Sequence, residues 1–98
     1  MAALYCYGVR RAEDAAAPAG VAGLADAALA HVSTGGLAAI VSDHDGGEVR
    51  RARRNLRAHL RELEAAMADG PVLPMRFGVI AEDAEAVRAV LAPRAEEL

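Results

Sequence analysis

Gly70-Pro71-Val72-Leu73-Pro74-Met75-Arg76-Phe77-Gly78 is the stretch on which the reading of this chain turns. It has the length and apolar character of a strand, yet it carries two prolines and an arginine. Proline removes a backbone donor, which confines it to strand starts, sheet edges and bulges. Pro71 falls where a strand would start, so its missing donor is harmless there. Pro74 predicts an edge position or a bulge. Arginine in an apolar run costs desolvation unless it reaches water or a partner. Alternation places Leu73, Met75 and Phe77 on one side and Val72, Pro74 and Arg76 on the other. The first set is assigned to the helix-covered core. Arg76 is then left for a carboxylate or carbonyl, within the molecule or on a partner.

Upstream, Val49, Ala52, Leu56, Leu60, Leu63 and Met67 recur at three- and four-residue steps, which predicts a helix from Glu48 to about Ala68 with that stripe buried. Asp45 and Glu48 have the spacing of a capping box, with Asp45 as N-cap. Gly70 and Pro71 stop the helix. Downstream, a shorter helix is expected from Asp83 to about Leu91, burying Val87, Val90 and Leu91, with Pro93 ending it or starting a new turn. Leu4 to Val9 reads as a first strand, and Arg10 to Ala28 as a loop with room for a short helical turn. Two apolar runs, Leu29 to Ser33 and Leu37 to Ser42, flank the three-residue turn Thr34-Gly35-Gly36 and predict a β-hairpin. Asp43 to Gly47 reads as a loop. The order β, loop, ββ, α, β, α predicts an α+β fold: a small sheet of about four strands with helices packed on one face, approximating a ferredoxin-like order.

Composition narrows the function. The chain has 98 residues, enough for one domain with a thin core, and much of its 54% hydrophobic content is alanine. A net charge of −3 argues against general nucleic-acid binding, which needs a basic excess. No apolar run approaches the roughly 18 residues of a membrane span. Met1 to Gly8 lacks the charged start and long apolar run of a secretory leader, and the single Cys6 has no internal disulfide partner, so a soluble intracellular protein is expected. Cys6, His31 and His59 read as core or half-buried residues. Ser42-Asp43-His44-Asp45 reads as a solvated loop rather than a metal site, because loop neighbours rarely all face one ion. No nucleophile elbow or phosphate loop is present, and no acid, base and nucleophile can be placed together. Arg50, Arg54, Arg57 and Arg61 form a basic helical stripe, thickened by Arg51 and Arg53. Placed toward the helix N-terminus, these charges oppose the macrodipole. The stripe is either a solvated face relieved by Glu48 and Glu62 or a docking surface for an acidic partner.

Three motifs then resemble one family. Tyr5-Cys6-Tyr7-Gly8-Val9 resembles the Y-x-Y-G-[IV] opening of the gas vesicle protein GvpL/GvpF family. Leu37-Ala38-Ala39-Ile40-Val41-Ser42-Asp43 is similar to its DLAALVS hairpin strand. The opening stretch with Val79-Ile80 looks like its GPVLPxRFGTV hallmark, with Val79 where many members have threonine. Asn55-Leu56 and His59 lie on the helix in the place of the family's long helix. The match runs in order along nearly the whole chain.

The resemblance implies a modified ferredoxin-like N-terminal domain spanning residues 1–98, with the family's helical C-terminal half absent. It implies a non-enzymatic accessory protein of gas vesicle assembly, cytoplasmic and at the gas vesicle. Such a protein binds the small hydrophobic shell protein and other gas vesicle accessory proteins, and needs no cofactor or metal, nucleic acid or lipid membrane. Arg76 and Pro74, with Arg50, Arg54, Arg57 and Arg61, are the partner-binding candidates. A sheet lacking its continuation strands exposes an edge, so a homodimer through that edge is expected. The competing reading is a ferredoxin-like regulatory module holding a small ligand in a polar cleft between paired domains.

Overall fold

Two glycines set the sheet in register. Gly35 and Gly36 both have positive φ, 56° and 87°, which is the backbone of a two-residue turn whose twist matches its strands. They close the hairpin of β2 (Leu29–Thr34) and β3 (Leu37–His44); Thr34 lies in the strand opposite Leu37, so the turn is one residue shorter than the three expected from sequence. The computed structural model describes residues 3–14, 27–45, 52–68 and 70–97. Within them β1 (Ala3–Arg11) leads to a short 3-10 turn, Ala12–Asp14, and α1 (Arg53–Met67) follows β3. Then come β4 (Val72–Pro74), β5 (Ile80–Ala81) and α2 (Ala84–Glu97).

All pairings are antiparallel. The sheet runs β2-β3-β1-β4, with β5 pairing the same β1 strand beyond β4. The α+β class and the order of elements along the chain expected from sequence therefore hold. The strand count is five rather than about four, because the single strand expected after Pro71 is interrupted and becomes two, β4 and β5.

The helices take opposite faces rather than one. Tyr5, Tyr7 and Ile40 pack with Ala58 and Ala66 of α1. Cys6, Val9, Ala39 and Val41 pack with Val87 and Leu91 of α2. Alternate residues of the central strands are thus apolar on both sides, and Ala38, Ala39, Ile40 and Val41 are all buried. That near-continuous run is what a strand sandwiched between two layers requires. Asp43 and His44 extend β3 instead of forming a loop.

The helix ends and faces also differ from expectation. Ala52, not Asp45, is the N-cap of α1, without a side-chain cap. Glu48 and Val49 lie outside the described residues, as do 15–26 of the first connection. At fifteen residues α1 is about 22 Å long, shorter than the helix expected. Its buried face is Ala58, His59, Glu62, Leu63 and Ala66. Leu56, Leu60 and Met67 are exposed, Leu60 by 57%. Periodicity fixes the helix but not which of two adjoining stripes meets the sheet; here the one with small residues does, and it carries His59 with it. In α2, Ala86 N–H donates to Asp83 Oδ1 at 2.8 Å, capping the expected start. Val87 and Leu91 are buried as expected, Val90 is exposed, and the helix continues through Pro93.

Candidate functional site

The Gly70–Gly78 stretch is an edge ribbon with an arch in it. Val72, Leu73 and Pro74 pair with Arg10, Val9 and Gly8. Met75 N–H still donates to Tyr7 O at 2.9 Å, and Cys6 N–H donates to Val79 O at 2.9 Å. Ile80 then resumes the ladder opposite Tyr5. Two consecutive β1 residues thus hold Met75 and Val79, and Arg76, Phe77 and Gly78 bow out between them. The register shift in β1 between Cys6 and Gly8 is the matching irregularity. Gly78 turns the arch at φ 95°, a conformation that a side chain would strain.

A chain of hydrogen bonds, buried at the Tyr5–His59 pair and half-buried at its two ends, pins this arch. His59 Nε2 lies 2.8 Å from the Met75 carbonyl, and its Nδ1 lies 2.8 Å from Tyr5 Oη. A carbonyl only accepts, so Nε2 carries the proton and Nδ1 accepts from the Tyr5 hydroxyl. The Tyr5 oxygen in turn accepts from Gly78 N–H at 3.1 Å. Both feet of the arch are therefore tied, through one tyrosine and one histidine, to β1 and α1. Rings enclose the chain: His59 stacks on Tyr7 at 5.7 Å and meets Phe77 edge-on at 5.8 Å. Tyr7 Oη lies 2.7 Å from Ser42 Oγ, closing the far side.

Burial raises the Tyr5 pKa, with the Gly78 N–H working against it, and lowers that of His59 against the pull of Met75. The pair is neutral at neutral pH. Both side chains are buried, Tyr5 completely, and every polar atom of the pair is spent on the arch or on the other ring. The geometry supports positioning of backbone, not proton transfer to a substrate. Burial also raises the pKa of the Cys6 thiol, which behaves as a small core group.

A second polar group lies under α1. Arg10, read from sequence as the start of a loop, is buried in β1 and donates from Nη2 to Ala66 O at 3.1 Å. Glu62, expected as surface charge relief, is buried, and desolvation pushes its pKa up to about 7 against the attraction of Arg10. This carboxyl holds its proton in the fold when the unfolded chain has lost it. Stability from Glu62 is thus full below about 4.5 and lost as pH rises through about 7. His59 and His31 have lowered pKa values, so their contribution is full above 6.5 and lost as pH falls below it. Glu62→Gln is expected to raise the urea midpoint at pH 8 and leave it unchanged at pH 4. An equal gain at both would remove the charged carboxyl as the cause.

The structure separates the residues singled out from sequence. Arg76 and Pro74 are exposed on the ribbon, and among the described residues no ion pair holds Arg76. Arg54, Arg57 and Arg61 are exposed on α1, while Arg50 lies outside the described residues. The strict alternation fails at the arch. Leu73 is 67% exposed, Met75 packs on the α2 side and Phe77 on the α1 side. Ser42 and Asp43 point to opposite faces, and no group of three metal-ligating side chains occurs among the described residues. A cavity of about 470 Å³ beside Val9, Leu37 and Leu73 and one of about 310 Å³ beside Cys6, Val79 and Val90 are lined mainly by apolar groups. Sequence reasoning marked His59 as half-buried but missed its partner. The signal that could have found it was the tyrosine pair at Tyr5 and Tyr7, whose buried hydroxyls need partners. No helix among the described residues is long and apolar enough to cross a membrane.

The model of a family described as gas vesicle synthesis protein GvpL/GvpF matches residues 3–98. Gas vesicle protein F of Streptomyces sp. (strain CB03234) is 43% identical over 94 residues, which cover 94% of this chain and 39% of that protein. The crystal structure of gas vesicle protein GvpF from Anabaena sp. PCC7120 superposes with a TM-score of 0.76 at 27% identity, over 100% of this chain and 45% of that one. GvpF from Microcystis aeruginosa gives 0.79 at 26% identity, over 98% and 40%. The chain spans less than half the length of these relatives.

Proposed function

The chain belongs to the gas vesicle synthesis protein GvpL/GvpF family, and from that premise we propose that it acts in gas vesicle assembly as a non-enzymatic accessory protein. In this reading it works in the cytoplasm at the gas vesicle and binds the hydrophobic shell protein through the arch and the adjoining surface of α1. One observation carries the reading: a buried tyrosine–histidine chain is used to hold an exposed arginine on a fixed arch. An ordered arch has already met the entropic cost of immobilisation, so Arg76 can engage a carboxylate or carbonyl with little further loss. Exposed Leu56, Leu60 and Met67 lie on the same helix as exposed Arg54, Arg57 and Arg61. Apolar anchors among arginines are the composition of a binding surface.

The test is co-purification with the gas vesicle shell protein. Arg76→Ala is expected to keep the wild-type melting temperature, because the side chain is exposed, and to reduce capture about tenfold, near 1.4 kcal/mol. A triple Arg54→Ala, Arg57→Ala, Arg61→Ala variant is expected to weaken capture further and to remove most of its salt dependence. Failure of the wild-type chain to capture shell protein would refute the reading.

A further inference from the structure

We propose that two copies of this chain pair through the outer edge of β2, joining their sheets into one continuous antiparallel sheet about a twofold axis near His31. The two edges of the sheet are unlike. On the β4 side, Leu73 and Met75 turn their backbone groups toward β1, since Met75 N–H bonds Tyr7 O and the pairs alternate by two. Pro74 therefore faces outward, where a neighbour would need an N–H and finds none. With the arch next to it, that edge is blunted in the way exposed edges commonly are.

Among the described residues the β2 edge has no such device. The two-residue turn makes Thr34 and Leu37 the closing pair, so Thr34, Val32 and Ala30 bond to β3. The backbone groups of Leu29, His31 and Ser33 face away from the sheet, and among the described residues no strand pairs with them. The strand, Leu-Ala-His-Val-Ser-Thr, contains no proline and no lysine, arginine, aspartate or glutamate. Ala30 and Ser33 are exposed and small, so a second backbone can approach.

The occupant is a second copy because the edge is complementary to itself. Antiparallel pairing centred on His31 sets Leu29 against the other copy's Ser33 and matches every outward donor with an acceptor. With no lysine, arginine, aspartate or glutamate in the strand and His31 neutral at neutral pH, like charges do not meet across it there, which is the usual obstacle to self-pairing. The two arches then lie at the far margins of the joined sheet, a bivalent display that raises avidity for a repeating partner surface.

Sedimentation of the intact chain tests this directly, alongside amide exchange and one variant. Ser33→Pro removes an outward N–H and no ladder bond. The expected results are a mass rising from one chain to two with concentration, and protection of the His31 and Ser33 amides that rises with it. Ser33→Pro should stay monomeric with an unchanged urea midpoint. The exchange measurement decides the matter should that variant fold poorly. A single-chain mass up to millimolar concentration overturns the proposal. So does dimerisation without new protection at His31 and Ser33, or assembly beyond two copies. None of these outcomes depends on whether shell protein is captured.

Discussion

Gly8→Ala is expected to lower the unfolding free energy by about 2–3 kcal/mol, and Gly8→Val to abolish cooperative folding. A Cβ at Gly8 would lie 2.9 Å from the carbonyl oxygen of Leu73, 3.0 Å from Leu63 Cδ2 and 3.0 Å from Val72 Cγ1. Leu63 Cδ2 is the end of a flexible side chain and can yield by a few tenths of an ångström, whereas Val72, β-branched, is stiff at χ1 and yields less. The carbonyl cannot, because Leu73 is paired with Val9 in the ladder that holds β4 to β1. Relief therefore requires the edge ribbon or α1 to move outward, which thins a core already rich in alanine. The requirement here is space, since Gly8 is not among the glycines of positive φ. Urea denaturation followed by circular dichroism provides the measurement. A Gly8→Ala midpoint equal to wild type would show that the close approach of β1, α1 and β4 is not demanding.

His59→Ala is expected to cost roughly 3–4 kcal/mol, the sum of a lost aromatic contact and of one buried and one half-buried group left without partners. The Met75 carbonyl loses its donor and the Tyr5 hydroxyl loses its acceptor, both in the low-dielectric layer between α1 and β1. Tyr5→Phe removes the other half of the chain, leaving the buried His59 Nδ1 without a donor and releasing the Gly78 N–H, at about 1–3 kcal/mol. The two groups act through one another, so the double variant should fall well short of the sum of the singles. Amide exchange at Gly78 should quicken in every variant that breaks the chain, while the β2–β3 hairpin keeps its protection. A His59→Ala protein within about 0.5 kcal/mol of wild type would mean that the arch is held by its ends alone.

What the sequence determined by itself was local. The hairpin at Gly35-Gly36, the two apolar runs that flank it, the stop at Gly70-Pro71 and the start of the last helix at Asp83 depend on neighbours within a few residues. Each was legible because turn and cap chemistry act at that range. The edge position of Pro74 was legible too, since a missing donor restricts the strand wherever the chain folds. The GvpL/GvpF resemblance lay in the same local segments.

Tertiary structure decided the rest. Which stripe of α1 met the sheet depended on Tyr5 and Tyr7, some fifty residues away, drawing His59 inward while Leu60 was left in water. Arg10 and Glu62 became core residues because β1 ran two residues further than its apolar run and α1 settled over its end. The division of Met75 and Phe77 between two faces came from the arch, which exists only because β1 offers two successive residues to hold its feet. Residue patterns record what each segment can bury; the partner that makes burial favourable is supplied by segments distant in the chain.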